Sequence, residues 1–310
     1  MFRFQKDQTI CNIAGTKVGG QPGELPSVIA GTIFYKGHKI VSDPTKGLFD
    51  KSSAEELINI QQQGSDETKI PSIIHIYAES SESIIRYIDF IDNISDVPFI
   101  VDSSEPDVRI NASKHVTETG LADRAIYNSL NMSTEYEEIE ALKISDVDSA
   151  IILGFNAVDS SLDGRISLLD NGGNLLDKGL IDVAEECGIR NKLIDPSITP
   201  MGNGAGIALR MSIVSKAKWG LPVGSGIHNA PSSWKWLQEK KKEDYLKYKI
   251  CDIGSVSMQV VAAGDYVLYG PIENSPYVFP IVSMADIMVR ESVDDLGIES
   301  SLMHPINYLV

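Results

Sequence analysis

Short apolar runs recur along the chain, and each is followed by a longer segment in which apolar residues return every three or four positions. The short runs are rich in β-branched residues, which favours strands, and the longer segments have the period of helices. Eight strands are predicted in this way, at 27–35, 73–77, 97–102, 123–128, 149–156, 192–194, 221–225 and 265–270. Strands that alternate with helices predict an α/β protein with a (β/α)8 TIM barrel, and an open doubly wound sheet is the alternative.

Three segments depart from this alternation. Residues 1–20 alternate apolar and polar positions around turns, which predicts an N-terminal hairpin that could close the bottom of a barrel. Residues 157–174 are polar and glycine-rich and are too long for a minimal connection, so we predict a functional loop there. Residues 232–249 are predicted as an added helix. We therefore expect residues 1–310 to form a single barrel domain that begins with the hairpin.

Composition narrows the classes of function. The chain has 310 residues, of which 43% are hydrophobic, and its net charge of -16 argues against a nucleic-acid-binding surface. The run Lys240-Lys241-Lys242 lies among acidic residues, which is typical of a solvated helix face. There is no signal peptide, and no apolar run approaches the roughly 18 residues of a membrane span. We therefore expect a cytoplasmic protein that is at most peripheral to a membrane.

The cysteines and histidines show no metal-site pattern. Cys11, Cys187 and Cys251 are far apart in the chain and are expected to be reduced. The five histidines form no i,i+4 pair, and no Cys/His cluster has the spacing of a zinc site. We therefore expect this chain to bind no metal ion.

Four strand ends are predicted to finish in a carboxylate or an amide side chain, namely Asp102, Asn128, Asp195 and Asn229. In a parallel barrel such positions converge on one mouth, where active sites form. Carboxylates accept hydrogen bonds and amides both accept and donate, which suits a heterocycle edge rich in N–H groups, such as that of a pterin. The competing interpretation is that each residue only caps the helix that follows it.

Glycines and a histidine flank two of these residues. Gly202 and Gly204 lie in a small-residue loop before a predicted helix, where backbone N–H groups could hold a phosphate. The G-x-G-x-x-G spacing of a dinucleotide site is absent, and close approach to a flat ligand or simple turn geometry explains them equally well. Gly226 indicates close packing against the seventh strand. His228 is a candidate general acid or base, although an isolated histidine is more often structural.

Six motifs carry a family resemblance, and they lie at 19–24, 43–51, 101–104, 127–131, 194–196 and 226–234. Together they closely resemble the H subunit of tetrahydromethanopterin S-methyltransferase, and the resemblance covers essentially the whole chain. More distantly, the chain resembles the methyltetrahydrofolate:corrinoid methyltransferases and the dihydropteroate synthases, which are pterin-binding TIM barrels.

The resemblance implies transfer of the N5-methyl group of methyl-tetrahydromethanopterin to a Co(I) corrinoid, a cobamide carried by a partner subunit. The membrane-bound complex of that family then methylates coenzyme M and exports sodium, and a homodimer is the family-level expectation. Motif matching implies that Asp102, Asn128 and Asp195 bind the pterin ring. It also implies that Asn229 is the catalytic residue near N5, although Gly-Ile-His precedes it here, where the distant relatives have a Leu-Ser-Asn sequence.

Two alternatives stay open. A paralogous methyltransferase would act between tetrahydrofolate or tetrahydromethanopterin and a different corrinoid protein. A non-catalytic assembly subunit would keep the barrel without turnover, which the presence of Asp102, Asn128 and Asp195 argues against. Because zinc usually activates a thiol acceptor, the missing Cys/His cluster favours a cobalt acceptor over direct methylation of coenzyme M. Segments 157–174 and 232–249 are candidates for docking of the corrinoid protein.

Overall fold

The computed structural model describes residues 1–310 as alternating strands and helices. In chain order the strands are β1 (Ile10–Ile13), β2 (Thr16–Gly19), β3 (Val28–Ile33), β4 (Val41–Asp43), β5 (Leu48–Phe49), β6 (Ser72–Tyr77), β7 (Phe99–Asp102), β8 (Ala125–Leu130), β9 (Ser149–Leu153), β10 (Asn191–Asp195), β11 (Gly224–Ser225) and β12 (Tyr266–Pro271). The α-helices are α1 (Lys51–Thr68), α2 (Ser81–Ile94), α3 (Pro106–Thr119), α4 (Tyr136–Ile144), α5 (Leu162–Asn171), α6 (Leu180–Glu186), α7 (Ala205–Trp219), α8 (Asn229–Ser232), α9 (Lys235–Glu243), α10 (Tyr245–Val261), α11 (Ser275–Glu291) and α12 (Ile306–Leu309). None of these helices has the length and apolar composition needed to cross a membrane.

Eight of the strands form one parallel sheet in the order β10-β9-β8-β7-β6-β3-β12-β11. A bridge between Ile194 on β10 and Val223, just before β11, joins the two ends of this sheet. The structure therefore confirms the predicted TIM barrel and excludes the open doubly wound sheet, in which the end strands would not meet. The seventh strand ends at Ser225 as predicted but begins at Gly224 rather than at residue 221, because Pro222 has no N–H to donate to a sheet.

The hairpin of β1 and β2 closes the end of the barrel at which the strands begin. It turns at Ala14-Gly15 and buries Cys11, Ile13 and Val18. These three side chains belong to the same apolar cluster as the residues that fill the barrel, among them Ala30, Ile73, Ile100, Ile126, Ile151 and Leu193. Since this cluster occupies the interior, the polar groups of the strand ends collect at the opposite end of the barrel.

A buried ion pair connects α7 to the closed end of the barrel. Lys216 is 1% exposed, and its Nζ lies 2.6 and 2.7 Å from the two carboxylate oxygens of Asp265. The same ammonium group donates to the carbonyl oxygen of Gly20 at 2.8 Å, and Asp265 accepts from the N–H of Val223 at 2.8 Å. The pair thus joins the hairpin, α7 and the last two strands.

Replacing Asp265 with alanine is expected to lower the free energy of unfolding by about 3–5 kcal/mol, because the ammonium group of Lys216 would stay buried without its counter-ion. Urea denaturation of the two proteins measures the change. The double variant Lys216→Met/Asp265→Ala is the control, since it removes both charges and should recover much of the lost stability. Equal destabilisation of the single and double variants would contradict this explanation.

Two of the predicted segments differ from the observed structure. Segment 157–174 is not an extended loop, because α5 occupies most of it, with Ser161 as a cap that accepts from the N–H of Gly164 at 3.1 Å. Gly164 weakens the helical pattern in the sequence, but it is required there because a Cβ would overlap Asp159. The predicted helix at 232–249 is divided into α9 and the first turn of α10, and Asp244 caps the second of these.

Candidate active site

The mouth at the carboxyl ends of the strands gathers the residues that the sequence analysis selected. Asp102 is the last residue of β7, and the strand register pairs it with Asn128 on β8. Asn128 lies within β8, two residues before its end, rather than at the end of the strand as predicted. It is paired with Ile151 on β9, whereas Asp195 at the end of β10 is paired with Leu153. The three polar residues therefore follow one another around the rim of the barrel, with Asp195 two residues further out along the strands.

Asp102 is oriented by a histidine that the sequence analysis did not select. His75 Nε2 lies 2.8 Å from Asp102 Oδ2, and His75 Nδ1 lies 2.9 Å from the hydroxyl of Thr32. The tautomer with its proton on Nε2 satisfies both contacts, because Thr32 then donates to Nδ1. The Asp102 side chain keeps 26% exposure, so it is fixed in orientation and still accessible from the mouth. The sequence signal that could have identified His75 is its position as a histidine within an apolar strand.

Asp195 is the most deeply buried carboxylate of the rim. It is 7% exposed, and its Oδ1 accepts from the N–H of Ser197 at 2.7 Å. Burial raises the pKa of Asp195 to about 7, and the hydrogen bond from Ser197 and the charge of Arg165 partly oppose this rise. A carboxyl group with such a pKa changes its charge readily near neutral pH, which is typical of binding and catalytic sites.

The loop that follows Asp195 is held by Arg165 on α5. This side chain is fully buried, and its Nη1 donates to the carbonyl oxygens of Pro196 and, at 2.6 Å, Ser197. Its Nε donates to the carbonyl oxygen of Ser160 at 3.1 Å. Arg165 lies in a segment that was predicted to be a loop, where a single arginine gives no helical pattern, so no sequence signal pointed to it.

A second buried network supports the part of the rim that carries Asp102 and Asn128. Arg109 on α3 donates from Nε and Nη2 to Glu138 Oε1, at 2.9 and 2.6 Å, and from Nη1 to the carbonyl oxygen of Ser103. Tyr127 donates its hydroxyl to the same carboxylate. Ser103 follows Asp102 in the chain, and Tyr127 precedes Asn128. The network therefore fixes the backbone that carries these two rim residues.

The sequence pattern predicted that Asn229 lies at the end of a strand, but the structure places it in a helix. The chain turns at Gly226, and Asn229 is the first residue of α8, with its N–H donating to the carbonyl oxygen of Gly226 at 2.9 Å. The side chain is exposed. A Cβ on Gly226 would lie 2.9 Å from Asn229 Nδ2, so the absence of a side chain at 226 leaves room for the amide. Asn229 therefore lies just after the seventh strand as an exposed hydrogen-bonding group.

His228 packs against β12, where a Cβ on Gly270 would lie 2.7 Å from the imidazole ring. Burial and, to a smaller extent, the nearby His75 lower the pKa of His228 to about 4. The imidazole is therefore neutral at pH 7 and holds no extra proton that it could transfer to a substrate. This environment favours a structural role for His228 over that of a general acid.

The raised pKa of Asp195 makes the stability of the fold depend on pH. Because the folded-state pKa of about 7 lies above the ordinary value of 3.8, the unfolded chain loses this proton first as the pH rises. The contribution to stability is complete below about pH 4, declines towards pH 7 and is lost above it. The variant Asp195→Asn should lack this decline, and at pH 7 it should be more stable than the wild type by up to about 4 kcal/mol.

Thermal or urea unfolding of the ligand-free proteins at pH 4, 5.5 and 7 measures this difference. Other buried acids, such as Asp286, contribute equally to both proteins, so their effects cancel in the comparison. Parallel pH dependences of the wild type and Asp195→Asn would contradict the raised pKa.

The fold and the rim define the class of this protein, a (β/α)8 barrel with a polar site at its mouth. The barrel is similar to that of Yersinia pestis dihydropteroate synthase in a sulfonamide drug complex, with a TM-score of 0.63 and 11% identity over 93% of this chain and 100% of that one. Dihydropteroate synthase from Xanthomonas albilineans in complex with 7,8-dihydropteroate gives a TM-score of 0.57 and 15% identity, over 92% and 98% of the two chains. At these identities the similarity concerns the fold alone.

Sequence comparison defines the family. The family model described as tetrahydromethanopterin S-methyltransferase MtrH subunit matches residues 6–301. The chain is 62% identical, over the full length of both proteins, to the H subunit of the putative methyltransferase mtx of Methanosarcina barkeri. It is 49% identical to the H subunit of tetrahydromethanopterin S-methyltransferase of Methanothermobacter thermautotrophicus, with 98% of each chain covered. The chain therefore belongs to the MtrH family of methyltransferases, which confirms the resemblance seen in the sequence motifs.

Proposed function

We propose that this chain transfers the N5-methyl group of methyl-tetrahydromethanopterin to a Co(I) corrinoid carried by a partner subunit. Membership of the MtrH family supports a methyl transfer that depends on this pterin. The observation that carries the proposal is the rim itself, which brings Asp102, Asn128 and Asp195 together at the barrel mouth. In a complete membrane-associated complex this step is the first half of methyl transfer to coenzyme M, coupled to sodium export.

The rim residues match the hydrogen-bonding groups of a pterin ring. Asp102 and Asp195 offer carboxylate oxygens, which suit the 2-amino and N3–H donors of the ring, and Asn128 can donate as well as accept. Charge-assisted hydrogen bonds of this kind are strong where water is excluded, as it is around Asp195. We assign ring binding to these three side chains.

Breaking the bond between N5 and its methyl group requires a better leaving group than a free tertiary amine. As the C–N bond breaks, N5 gains a proton from solvent, and a hydrogen bond from a positioned donor to N5 stabilises the transition state of this step. We assign this hydrogen bond to the amide of Asn229, which is exposed beside the mouth. The corrinoid supplies the nucleophile when its carrier subunit docks, and this chain contributes orientation and electrostatics.

A spectroscopic experiment tests the proposed function. The protein is mixed anaerobically with methyl-tetrahydromethanopterin and a free Co(I) corrinoid, and the absorbance of the Co(I) form is followed. We expect it to decay at a rate proportional to protein concentration as methylated corrinoid forms. Decay no faster than without protein would overturn the proposal and, if pterin binding were absent as well, would favour a non-catalytic assembly role. Methyl-tetrahydrofolate as a second donor tests the choice of pterin.

A paralogous methyltransferase is the second candidate. The chain is 62% identical to a protein named as part of a putative mtx methyltransferase and 49% identical to one named as part of a tetrahydromethanopterin S-methyltransferase. This difference favours a separate complex that performs the same half-reaction with its own corrinoid protein. Comparing the transfer rates to the corrinoid protein of the S-methyltransferase complex and to other corrinoid proteins separates the two candidates.

The segment after Asn229 is our candidate for docking of the corrinoid protein. Here Trp234 and the exposed Trp236 form a pair with ring centroids 4.7 Å apart. Six lysines follow within a chain of net charge -16, namely Lys235, Lys240, Lys241, Lys242, Lys247 and Lys249. Glu239, Glu243 and Asp244 lie among these lysines, so residues 234–249 carry a net charge of +3. This positive charge and the aromatic pair suit an acidic protein partner, because complementary charge steers association. Any partner that brings cobalt to N5 must approach close to this segment.

We also propose that the chain forms a homodimer through the outer faces of α10 and α11. These two helices pack against each other, and they expose Met258, Val261, Met284 and Met288 by 54–62%. Large exposed apolar side chains on neighbouring helices are typical of subunit interfaces. The double variant Met258→Glu/Met288→Glu is expected to sediment as a monomer, whereas the wild type sediments as a dimer. A monomeric wild type, or a dimeric variant, would contradict this interface.

A further inference from the structure

The N-terminal end of α7 lies in the loop that follows Asp195. The cap residue of this helix is Gly204, which has no side chain to accept hydrogen bonds from the first turn. The N–H groups of Ile207 and Ala208 donate to the carbonyl oxygen of Gly204, but those of Ala205 and Gly206 precede any possible intrahelical acceptor. Such an end attracts anions but is not a site without a further group.

Arg165 supplies that further group. Its side chain is fully buried, and its Nε and Nη1 donate to backbone carbonyl oxygens, whereas Nη2 has no acceptor within the protein. Nη2 lies 3.9 Å from the position that a Cβ on Gly204 would take. A guanidinium N–H and the free N–H groups of a helix end therefore face the same small region. Both are donors that favour a negatively charged acceptor.

The first turn of α7 is open to solvent on the side of Gly206. A Cβ built on Gly204 would lie no closer than 3.5 Å to any neighbour, and the two nearest are Thr199 Oγ1 and Ile207 Cδ1. A Cβ built on Gly206 would meet nothing within 4 Å, and Gly206 is exposed. Gly202 and Gly204 also have φ values of 89° and 101°, which only glycine adopts readily. An oxygen atom can thus approach the helix end from the solvent side.

We propose that Arg165 Nη2 and the first N–H groups of α7 form an anion-binding subsite for a carboxylate or phosphate on the tail of the substrate. One loop, residues 196–204, connects Asp195 to this helix end, and Arg165 binds the backbone at its start. Arg165 is near enough to Asp195 for its charge to act on that carboxyl, so a ring held by Asp195 can direct its substituent towards the subsite. The assignment to a pterin tail rests on the proposed function, whereas the binding of a simple anion does not.

The sequence left the phosphate interpretation of Gly202 and Gly204 open, because glycines in a loop are equally explained by turn geometry. The unpartnered Nη2 of Arg165 distinguishes the two interpretations, since holding the loop uses only Nε and Nη1. This arginine comes from α5, about 40 residues away in the chain, so no local motif could show it.

Gly206→Asp tests the subsite without removing Arg165. The new carboxylate occupies the open space in the first turn, where the helix dipole favours it, so the fold is retained. Gly206→Asn is the matched control, because it has the same shape and no charge. The probes are inorganic phosphate and glutarate, which stand for the two kinds of anionic tail, and the readout is the midpoint of thermal unfolding, Tm.

We expect at least one of the two anions to raise the Tm of the wild type and of Gly206→Asn. The apparent affinity of Gly206→Asp for that anion should be at least fivefold weaker than that of either of these proteins. The anion that binds more tightly identifies the tail as phosphate or carboxylate. Equal affinities in the Asp and Asn variants, or no shift with either anion in the wild type, would overturn the subsite.

Calorimetry with a methyl-tetrahydropterin that carries or lacks an anionic tail tests the link to the substrate. Removing the tail should weaken binding to the wild type and to Gly206→Asn about tenfold, and should leave binding to Gly206→Asp unchanged. Equal affinity of the wild type for the two pterins would overturn the assignment to the tail. If no protein binds either pterin while the anion shifts persist, the proposed function fails and the anion subsite stands.

Discussion

Replacing Asn229 with alanine is expected to lower the single-turnover rate of methyl transfer by about 100- to 1000-fold, while pterin affinity changes by less than about threefold. The amide is assigned to a hydrogen bond that strengthens only as N5 becomes a leaving group, so its loss raises the energy of the transition state more than that of the bound substrate. Stopped-flow mixing of the protein–pterin complex with Co(I) corrinoid gives the rate, and calorimetry gives the affinity.

Ser233→Ala is a suitable control for this experiment. Ser233 is exposed directly after the same short helix, so the variant makes a comparable change in the surface without removing the assigned donor. It should transfer the methyl group at the wild-type rate. A rate for Asn229→Ala within threefold of the wild type would refute the assignment at N5, as would an equal loss in both variants.

Replacing Asp195 with asparagine is expected to weaken pterin binding at pH 7 by about 100-fold, in the same variant that gains stability in the absence of ligand. An amide cannot accept charge-assisted hydrogen bonds from two ring donors, and each such bond is worth about 1.5–3 kcal/mol. Calorimetric titration with the pterin measures the affinity. The opposite signs of the two effects distinguish a functional carboxylate from a structural one, which would lose stability when replaced.

Asp286→Asn is the matched control for Asp195→Asn. Burial also raises the pKa of Asp286 to about 7, but this carboxylate lies on α11 and accepts from the N–H and hydroxyl of Ser27, before the first barrel strand. Because that position is at the closed end of the barrel, the change should leave pterin affinity within about twofold of the wild type. Wild-type affinity in Asp195→Asn would contradict the ring-binding role.

The site therefore contains a carboxylate whose ionisation destabilises the fold, together with groups that partly stabilise its charged form. Asp195 is buried where ionisation is unfavourable, and Arg165 and the N–H of Ser197 lower that cost. Such an arrangement is typical of binding sites, where a group is kept for its ligand at the expense of stability. The anion subsite proposed at α7 would use the same arginine for a second purpose.

Much of the barrel could be predicted from the sequence, because buried parallel strands are continuous apolar runs and amphipathic helices repeat every 3.6 residues. The strand predicted to end at Asp102 ends at that residue in the structure. Two predictions were wrong where small residues weaken these patterns. Gly164 concealed α5 within an apparent loop, and the chain turns at Gly226, so Asn229 lies in a helical turn rather than at the end of the seventh strand.

The sequence by itself determined the location of the eight strands and of the polar residues Asp102, Asn128 and Asp195 near the carboxyl ends of three of them. Strand formation depends on the immediate neighbours along the chain, so a local pattern is enough to predict it. Only the tertiary structure decided which groups act on them. His75 reaches Asp102 from another strand, and Arg165 reaches the loop after Asp195 from a helix. The neutral state of His228 and the raised pKa of Asp195 follow from burial. Contacts between distant residues and exclusion of water arise only when the barrel closes, so no local pattern contains them.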